Sequence, residues 1–205
     1  RAAARRHLLT LAELGYLESD GAHYWLSPRV LRLAGSYMAT SRLPRALQPT
    51  LNRLAAQTEA AFSAVVLDGD ECVIVARSAG SAEPVRHLAH GLHLGARLPA
   101  HATSTGRVLL ANLAKAEFQA WLRGRELARI TPHTEVNPQA FKALIEQVRR
   151  EDFCVARDAH EWGIHALAVP LRNMQGHTLA ALNVVGNASQ LSEAAVQRQW
   201  LPLLL

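Results

Sequence analysis

The sequence predicts an α+β protein: an antiparallel sheet covered by helices, preceded by a smaller helix–hairpin–helix unit. Three observations carry this. A hairpin is marked at Asp68-Gly69-Asp70, between the apolar runs Ala64-Val65-Val66-Leu67 and Cys72-Val73-Ile74-Val75-Ala76. Three more strand-like runs stand near the C-terminus, at 153–157, 164–171 and 178–185, with turn residues at 173–176 between the last two. Helical patterns flank both strand groups, an arrangement that covers an antiparallel sheet with helices.

Taken in order, residues 1–14 predict a helix, because Ala4, Leu8, Leu11 and Ala12 share one face. Gly15 ends it, as glycine does just past a helix C-terminus. Short strands follow at 16–18 and 23–26, joined by the turn Ser19-Asp20-Gly21-Ala22. Ser27-Pro28 has the residue types of a helix start. That helix runs to about Ala39, and Pro44 is expected to break it. A further amphipathic helix is predicted over 47–59, on Leu47, Leu51, Leu54 and Ala55. After the 64–76 hairpin, 85–100 reads as strand and loop, and 102–112 as a helix opening on Thr103, Ser104 and Thr105. Short helices are expected near 115–123 and 138–151, and a last one over 192–205, capped by Ser192 with Glu193 in its first turn.

Composition bounds the function. Of 205 residues, 49% are hydrophobic and 19% charged, so the chain is globular with a sizeable core. No apolar run approaches the roughly 18 residues of a membrane span. The opening RAAARRHLLTL lacks the apolar stretch and cleavage site of a signal peptide. Two cysteines, Cys72 and Cys154, are too few for a disulfide scaffold, and a reduced, cytoplasmic setting is expected. The chain opens on Arg1, already inside a helical pattern, so a preceding segment is expected. The net charge is +5. Residues 1–43 hold six Arg against three acids, whereas 44–205 hold 16 Lys and Arg against 14 acids. The excess at the N-terminus suits contact with phosphates, and equally suits a solvated basic end.

Two groups of residues could carry chemistry. Arg1, Arg5 and Arg6, with the small Ala2 beside them, offer cations and close backbone approach, as a helix entering a DNA groove requires. Thr103, Ser104 and Thr105 at a helix start offer free N–H groups and hydroxyls, which suit a carboxylate and suit plain N-capping as well. A metal site is not expected. His87, His90 and His93 fall in a strand or loop region, and the second histidine of His160-Glu161-Trp162-Gly163-Ile164-His165 sits about 140° away from the face of a zinc-protease helix. No nucleophile elbow or phosphate-binding loop is present, and Cys154 reads as core.

The segment RAAARRHLLTLAELGYLESDGAHYWLSPRVLRL resembles the second half of the winged helix-turn-helix of the IclR family of bacterial regulators. LPAHATSTGRVLLA (98–111) resembles that family's effector-domain segment, and GIHALAVPL (163–171) with ALNV (181–184) resembles its C-terminal signature. TPHT (131–134) and AVPLR…AALNV look most like the branch that regulates aromatic-acid breakdown through the β-ketoadipate and 4-hydroxybenzoate pathways. The resemblance implies a recognition helix and wing over 1–27, lacking the motif's leading helices. It implies a linker helix over 28–43 and a GAF-like effector-binding domain over 44–205. By position it points to Ser104, Thr105, Asp158, Ala166, Asn183 and Val185 as effector contacts. Thr103, Arg107 and His160 join them, because an acidic ligand needs donors or positive charge nearby. It further implies double-stranded operator DNA and a small carboxylate as partners, a homodimer or tetramer, no cofactor, and no catalysis. The rival reading is a small-molecule hydrolase or isomerase using His and Asp as acid and base.

Overall fold

A computed structural model describes residues 2–78 and 92–205. The chain divides into two compact units, Arg1–Ala46 and Leu47–Leu205.

The first unit contains α1 (Ala2–Glu13), the hairpin β1 (Leu17–Ser19) and β2 (Tyr24–Leu26), and α2 (Val30–Thr40). Gly15 adopts φ +75°, a conformation that suits glycine, and turns the chain out of α1. Arg29 Nη1 then donates to the Leu14 carbonyl at 2.6 Å, satisfying an acceptor left open at the helix end. In the hairpin turn, Asp20 accepts from the N–H groups of Ala22 (2.9 Å) and His23 (2.7 Å). Ser27 Oγ does accept from the Arg29 N–H, but α2 begins later than expected, at Val30. No residue of α1 or α2 is buried within this unit, and Leu31 and Leu33 are 70% and 59% exposed.

The predicted break at Pro44 falls elsewhere. Ser41 is extended, at ψ 123°, and separates α2 from α3 (Arg42–Thr58). Pro44 lies in the first turn of α3, where its missing N–H has no intrahelical acceptor to serve.

The second unit is built on a six-stranded antiparallel sheet in the order β5-β4-β3-β8-β7-β6. Its strands are β3 (Ala61–Asp68), β4 (Glu71–Arg77), β5 (Arg97–Pro99), β6 (Cys154–Arg157), β7 (His165–Arg172) and β8 (Thr178–Gly186). Both predicted hairpins form. Asn173 Oδ1 accepts from the N–H groups of Gln175 and His177, and Gly176 takes φ +82° in that turn.

Alternation along the strands sends side chains to two faces. On one face Val65, Cys72, Ile74, Cys154, Ala168 and Ala181 pack with α4 (Ser104–Ala111), α5 (Lys115–Leu122) and α6 (Pro138–Glu151). Phe118, Trp121 and Phe141 cluster there with ring centroids 6.1–6.4 Å apart. Such pairs each add about 0.5–1.5 kcal/mol beyond the area they bury. On the other face Phe62 meets Trp200 at 6.4 Å. The chain ends in α7 (Glu193–Ala195), a π-helical stretch at Val196–Trp200, and α8 (Leu201–Leu204). Pro202 has no N–H to give the Arg198 carbonyl, and the spacing widens so that Leu201 N–H reaches Val196 O.

Candidate functional site

The start of α4 is held by three local devices. Thr103 caps it, its hydroxyl accepting from the Gly106 N–H at 3.1 Å. Gly106 lets the 3-10 turn Ala100–Ala102 cross directly over the helix, since a Cβ there would stand 2.1 Å from the Ala100 carbonyl oxygen. Arg107 Nε donates to the His101 carbonyl at 2.9 Å. The first backbone bond of the helix runs from Arg107 N–H to Thr103 O. The N–H groups of Ser104 and Thr105 therefore precede the intrahelical ladder and remain available as donors.

This helix start borders a cavity of about 60 Å³ on the core face of the sheet. Every strand of the large sheet contributes: Ser63 and Val65, Ile74, Leu98, Ala156, Ala166, and Asn183 with Val185. The helix side supplies Ala102, Thr103, Ser104 and Thr105, and the loop after β6 supplies Ala159, His160, Glu161 and Ile164. Most of the wall is aliphatic or alanine, so the space suits a compact apolar body. Polar groups are few and grouped, as in ligand sites generally. Two of them stand out: Ser104 Oγ and Asn183 Oδ1 are buried atoms with no hydrogen-bond partner among the described residues. Buried polar atoms are rarely left so, and each such atom asks for a reason. Burial holds His160 below the ordinary histidine pKa, which favours its neutral ring. Among the described residues the lining contains no lysine or arginine.

Of the nine expected effector contacts, the structure brings seven together around this cavity: Thr103, Ser104, Thr105, His160, Ala166, Asn183 and Val185. Two stand elsewhere. Asp158, at φ +54°, turns its carboxylate onto the Gly163 N–H at 2.7 Å and lies 3.5 Å from His165 Nε2, so it closes its own loop. Arg107 is 5% exposed and lines a different cavity on the far side of α4. Two polar contributors, Ser63 and Glu161, are not among the expected contacts. Ser63 is a polar residue in an apolar strand, a pattern that becomes informative only once its partner strand is known. Glu161 directly follows His160 in the same loop.

The loop carrying Ala159, His160 and Glu161 is tied to the 131–134 segment. Thr131 Oγ1 donates to Asp158 O at 2.6 Å, and Thr134 Oγ1 donates to Ala159 O at 2.7 Å. His101 is buried beside the cavity, with its Nε2 2.9 Å from Ala128 O. In the first unit, Ala2, Arg5 and Arg6 are all exposed on α1, and Arg1 lies outside the described residues. His87 and His90 also lie outside them. Among the described residues no cluster of three metal-ligating side chains occurs, and no helix is long and apolar enough to cross a membrane.

A family model described as the bacterial transcriptional regulator IclR C-terminal domain matches residues 35–204. The Pca operon regulatory protein of Acinetobacter baylyi is 46% identical over 204 residues, covering all of this chain and 73% of that protein. The p-hydroxybenzoate hydroxylase transcriptional activator of the same organism is 45% identical over 205 residues, covering all of this chain and 76% of its own length. Among solved structures, the inducer-binding domain of an Acinetobacter PobR double mutant in complex with 3-hydroxybenzoic acid superposes with a TM-score of 0.74. It is 43% identical and covers 80% of this chain and 94% of that one.

Proposed function

The chain belongs to the IclR family of bacterial transcriptional regulators, and from that premise we propose that it senses a small aromatic carboxylate, or a breakdown product of one, in the cavity beside Thr103. The carrying observation is the pairing of aliphatic walls with two buried polar atoms, Ser104 Oγ and Asn183 Oδ1, that have no partner among the described residues. An aromatic ring fits between Val65, Ile74, Leu98, Ile164 and Val185. Among the described residues the donors that suit a carboxylate are neutral: the Ser104 hydroxyl and the N–H groups of Ser104 and Thr105, at the positive end of a helix. Asn183 and neutral His160 are left for a ring hydroxyl. A site built to bond a hydroxyl rejects analogues lacking one, because its own polar groups then stay unpaired. The similarity to a domain solved with 3-hydroxybenzoic acid supports this reading.

Regulation follows from two further assignments. Residues 1–27 serve as recognition helix and wing, with Arg5, Arg6 and Ala2 toward operator DNA and Arg1 beside them. Residues 28–43 link them to the sensor, which spans 44–205. The exposed Leu31, Leu33 and Tyr37 on α2 suit packing against a second copy, and a two-fold dimer suits a near-palindromic operator. A ligand that prefers one dimer arrangement shifts the operator affinity of the whole by that preference and no more. The family lies among regulators rather than hydrolases, and Asp158, which adjoins the cavity loop, is committed to the Gly163 N–H.

Isothermal titration calorimetry of the 205-residue chain with 3- and 4-hydroxybenzoate, protocatechuate and β-ketoadipate tests the proposal. Saturable binding of at least one, lost in the Ser104→Ala and Asn183→Leu variants, is expected. Silence from all four overturns the aromatic-acid assignment.

A further inference from the structure

The second cavity has about 380 Å³ and lies between α6, the edge strand β6 and the C-terminal helical segment. Its wall includes Gln147 and Glu151 of α6, Val155 and Arg157 of β6, and Glu193 and Gln197 near the C-terminus. It also includes Arg107, which leaves α4 away from the Thr103 cavity. Arg107 is only 5% exposed. Its Nε is bonded to His101 O, and its side chain contacts the Cys154 thiol. Among the described residues it has no ion-pair partner. A cation taken out of water without a counter-charge is costly, and a carboxylate accepting from the guanidinium fork offsets that cost.

We infer that this cavity is a second ligand site, taking a small monocarboxylate on Arg107, separate from the cavity beside Thr103. The charge distribution selects the ligand class. Arg107 is the buried charge, and the more exposed Arg157 adds a second cation. Glu151 and Glu193 in the same wall oppose a polyanion, so a single negative charge with a small body is favoured. Val155 and its apolar neighbours, Leu144 and Val148, accept that body. The site is joined to the first through α4. Arg107 lies three residues beyond Ser104, and its hydrogen bond fixes His101 O in the turn that crosses Gly106. Occupancy of one cavity therefore bears on the geometry of the other, by reciprocal coupling.

Amide-resolved NMR of the full chain, titrated with sodium acetate against sodium chloride at equal ionic strength, tests this. Saturable shifts are expected at Gln147, Glu151, Val155 and Gln197. Arg107→Gln is expected to weaken them at least about tenfold, the loss of one charge-assisted hydrogen-bonded pair, while Arg107→Lys retains part of the affinity. Shifts no larger than those from chloride, shifts confined to Ser104, Ala166 and Asn183, or undiminished binding by a folded Arg107→Gln protein each overturn the inference. Should Arg107→Gln not fold, Glu193→Gln keeps the test open. Removing that wall charge tightens acetate about two- to threefold at low salt, and unchanged or weaker binding overturns the site.

Discussion

Ser63 of β3 stands directly opposite Asn183 of β8, and both side chains reach the cavity beside Thr103. Ser63 is 2% exposed, and Asn183 Oδ1 has no partner among the described residues. This pair forms a polar patch on an otherwise apolar floor, a poor use of core unless a ligand completes it. Asn183→Leu is therefore expected to leave the thermal midpoint unchanged or to raise it, because an unsatisfied buried group is removed. The same change lowers hydroxybenzoate affinity by about 1.5–3 kcal/mol, roughly ten- to a hundredfold. Calorimetric unfolding and ligand titration of one sample separate the two effects. A fall in stability with affinity intact would show that Asn183 serves the fold rather than the ligand.

Thr103 and Ser104 are neighbours with different expected penalties. The Thr103 hydroxyl caps α4 by accepting from Gly106 N–H, so Thr103→Val costs about 0.5–2 kcal/mol of stability. Ser104 Oγ has no partner among the described residues, so Ser104→Ala leaves stability within about 0.5 kcal/mol and acts on ligand affinity instead. Urea unfolding of both variants decides the matter. Equal destabilisation would remove the distinction.

How much of this was legible in the sequence follows from how local each cause is. Gly15, the Asn173–Gly176 turn and the Thr103 cap act over a few residues, and pattern alone finds them. Ser63 acts only in register with Asn183, across a gap of 120 residues, and no spacing along the chain reports that. Arg107 and Asp158 illustrate the opposite failure. Arg107 carries the positive charge an acidic effector calls for, and Asp158 directly precedes the lining residue Ala159. A long guanidinium and a left-handed loop residue take their direction from distant partners, here His101 O and Gly163 N–H. Pro44 looks like a breaker in the sequence because its place in a first turn depends on Ser41 ending the previous helix.

The Gly106 contact gives the most severe expected mutant. A methyl group there meets Ala100 O at 2.1 Å and its Cα at 2.4 Å, both backbone atoms that no rotamer change relieves. Gly106→Ala is expected to destabilise the fold by about 3 kcal/mol or more, at or beyond the upper range for overpacking. The loss of stability is accompanied by loss of ligand binding, since the same crossing sets the helix start. A variant of native midpoint would mean that the 3-10 turn moves freely over α4.

Acid sensitivity follows from two histidines. Burial lowers the pKa of both His101 and His160 from the ordinary value of 6.5. The unfolded chain then binds more protons than the folded one in the window below 6.5, so stability rises with pH there. The stability supplied by the neutral rings is complete above about pH 6.5 and is lost progressively as pH falls toward their depressed folded values. His160→Gln is expected to flatten the fall of the thermal midpoint between pH 6.5 and 5. A slope unchanged by this substitution would assign the acid loss to carboxylates instead.

Thr131 and Thr134 are expected to matter for binding although neither lines the cavity. Their hydroxyls donate to Asp158 O and Ala159 O, and thereby hold the loop that presents His160 and Glu161. Thr134 also accepts from the N–H groups of Ile130 and Thr131, so Thr134→Val strands two donors, whereas Thr134→Ser keeps all three bonds. The expected order of ligand affinity is native, then Thr134→Ser, then Thr131→Val, with Thr134→Val weakest. One lost hydrogen bond in a positioning loop is worth about 0.5–1.5 kcal/mol, or roughly two- to tenfold in Kd. Because these residues act through loop order, the loss resides in the dissociation rate and in faster amide exchange at Ala159–Gly163, both readable on the same variants. An affinity loss without faster exchange would mean that the threonines reach the ligand by another route, and unchanged affinity in Thr134→Val would release the loop from any part in the site.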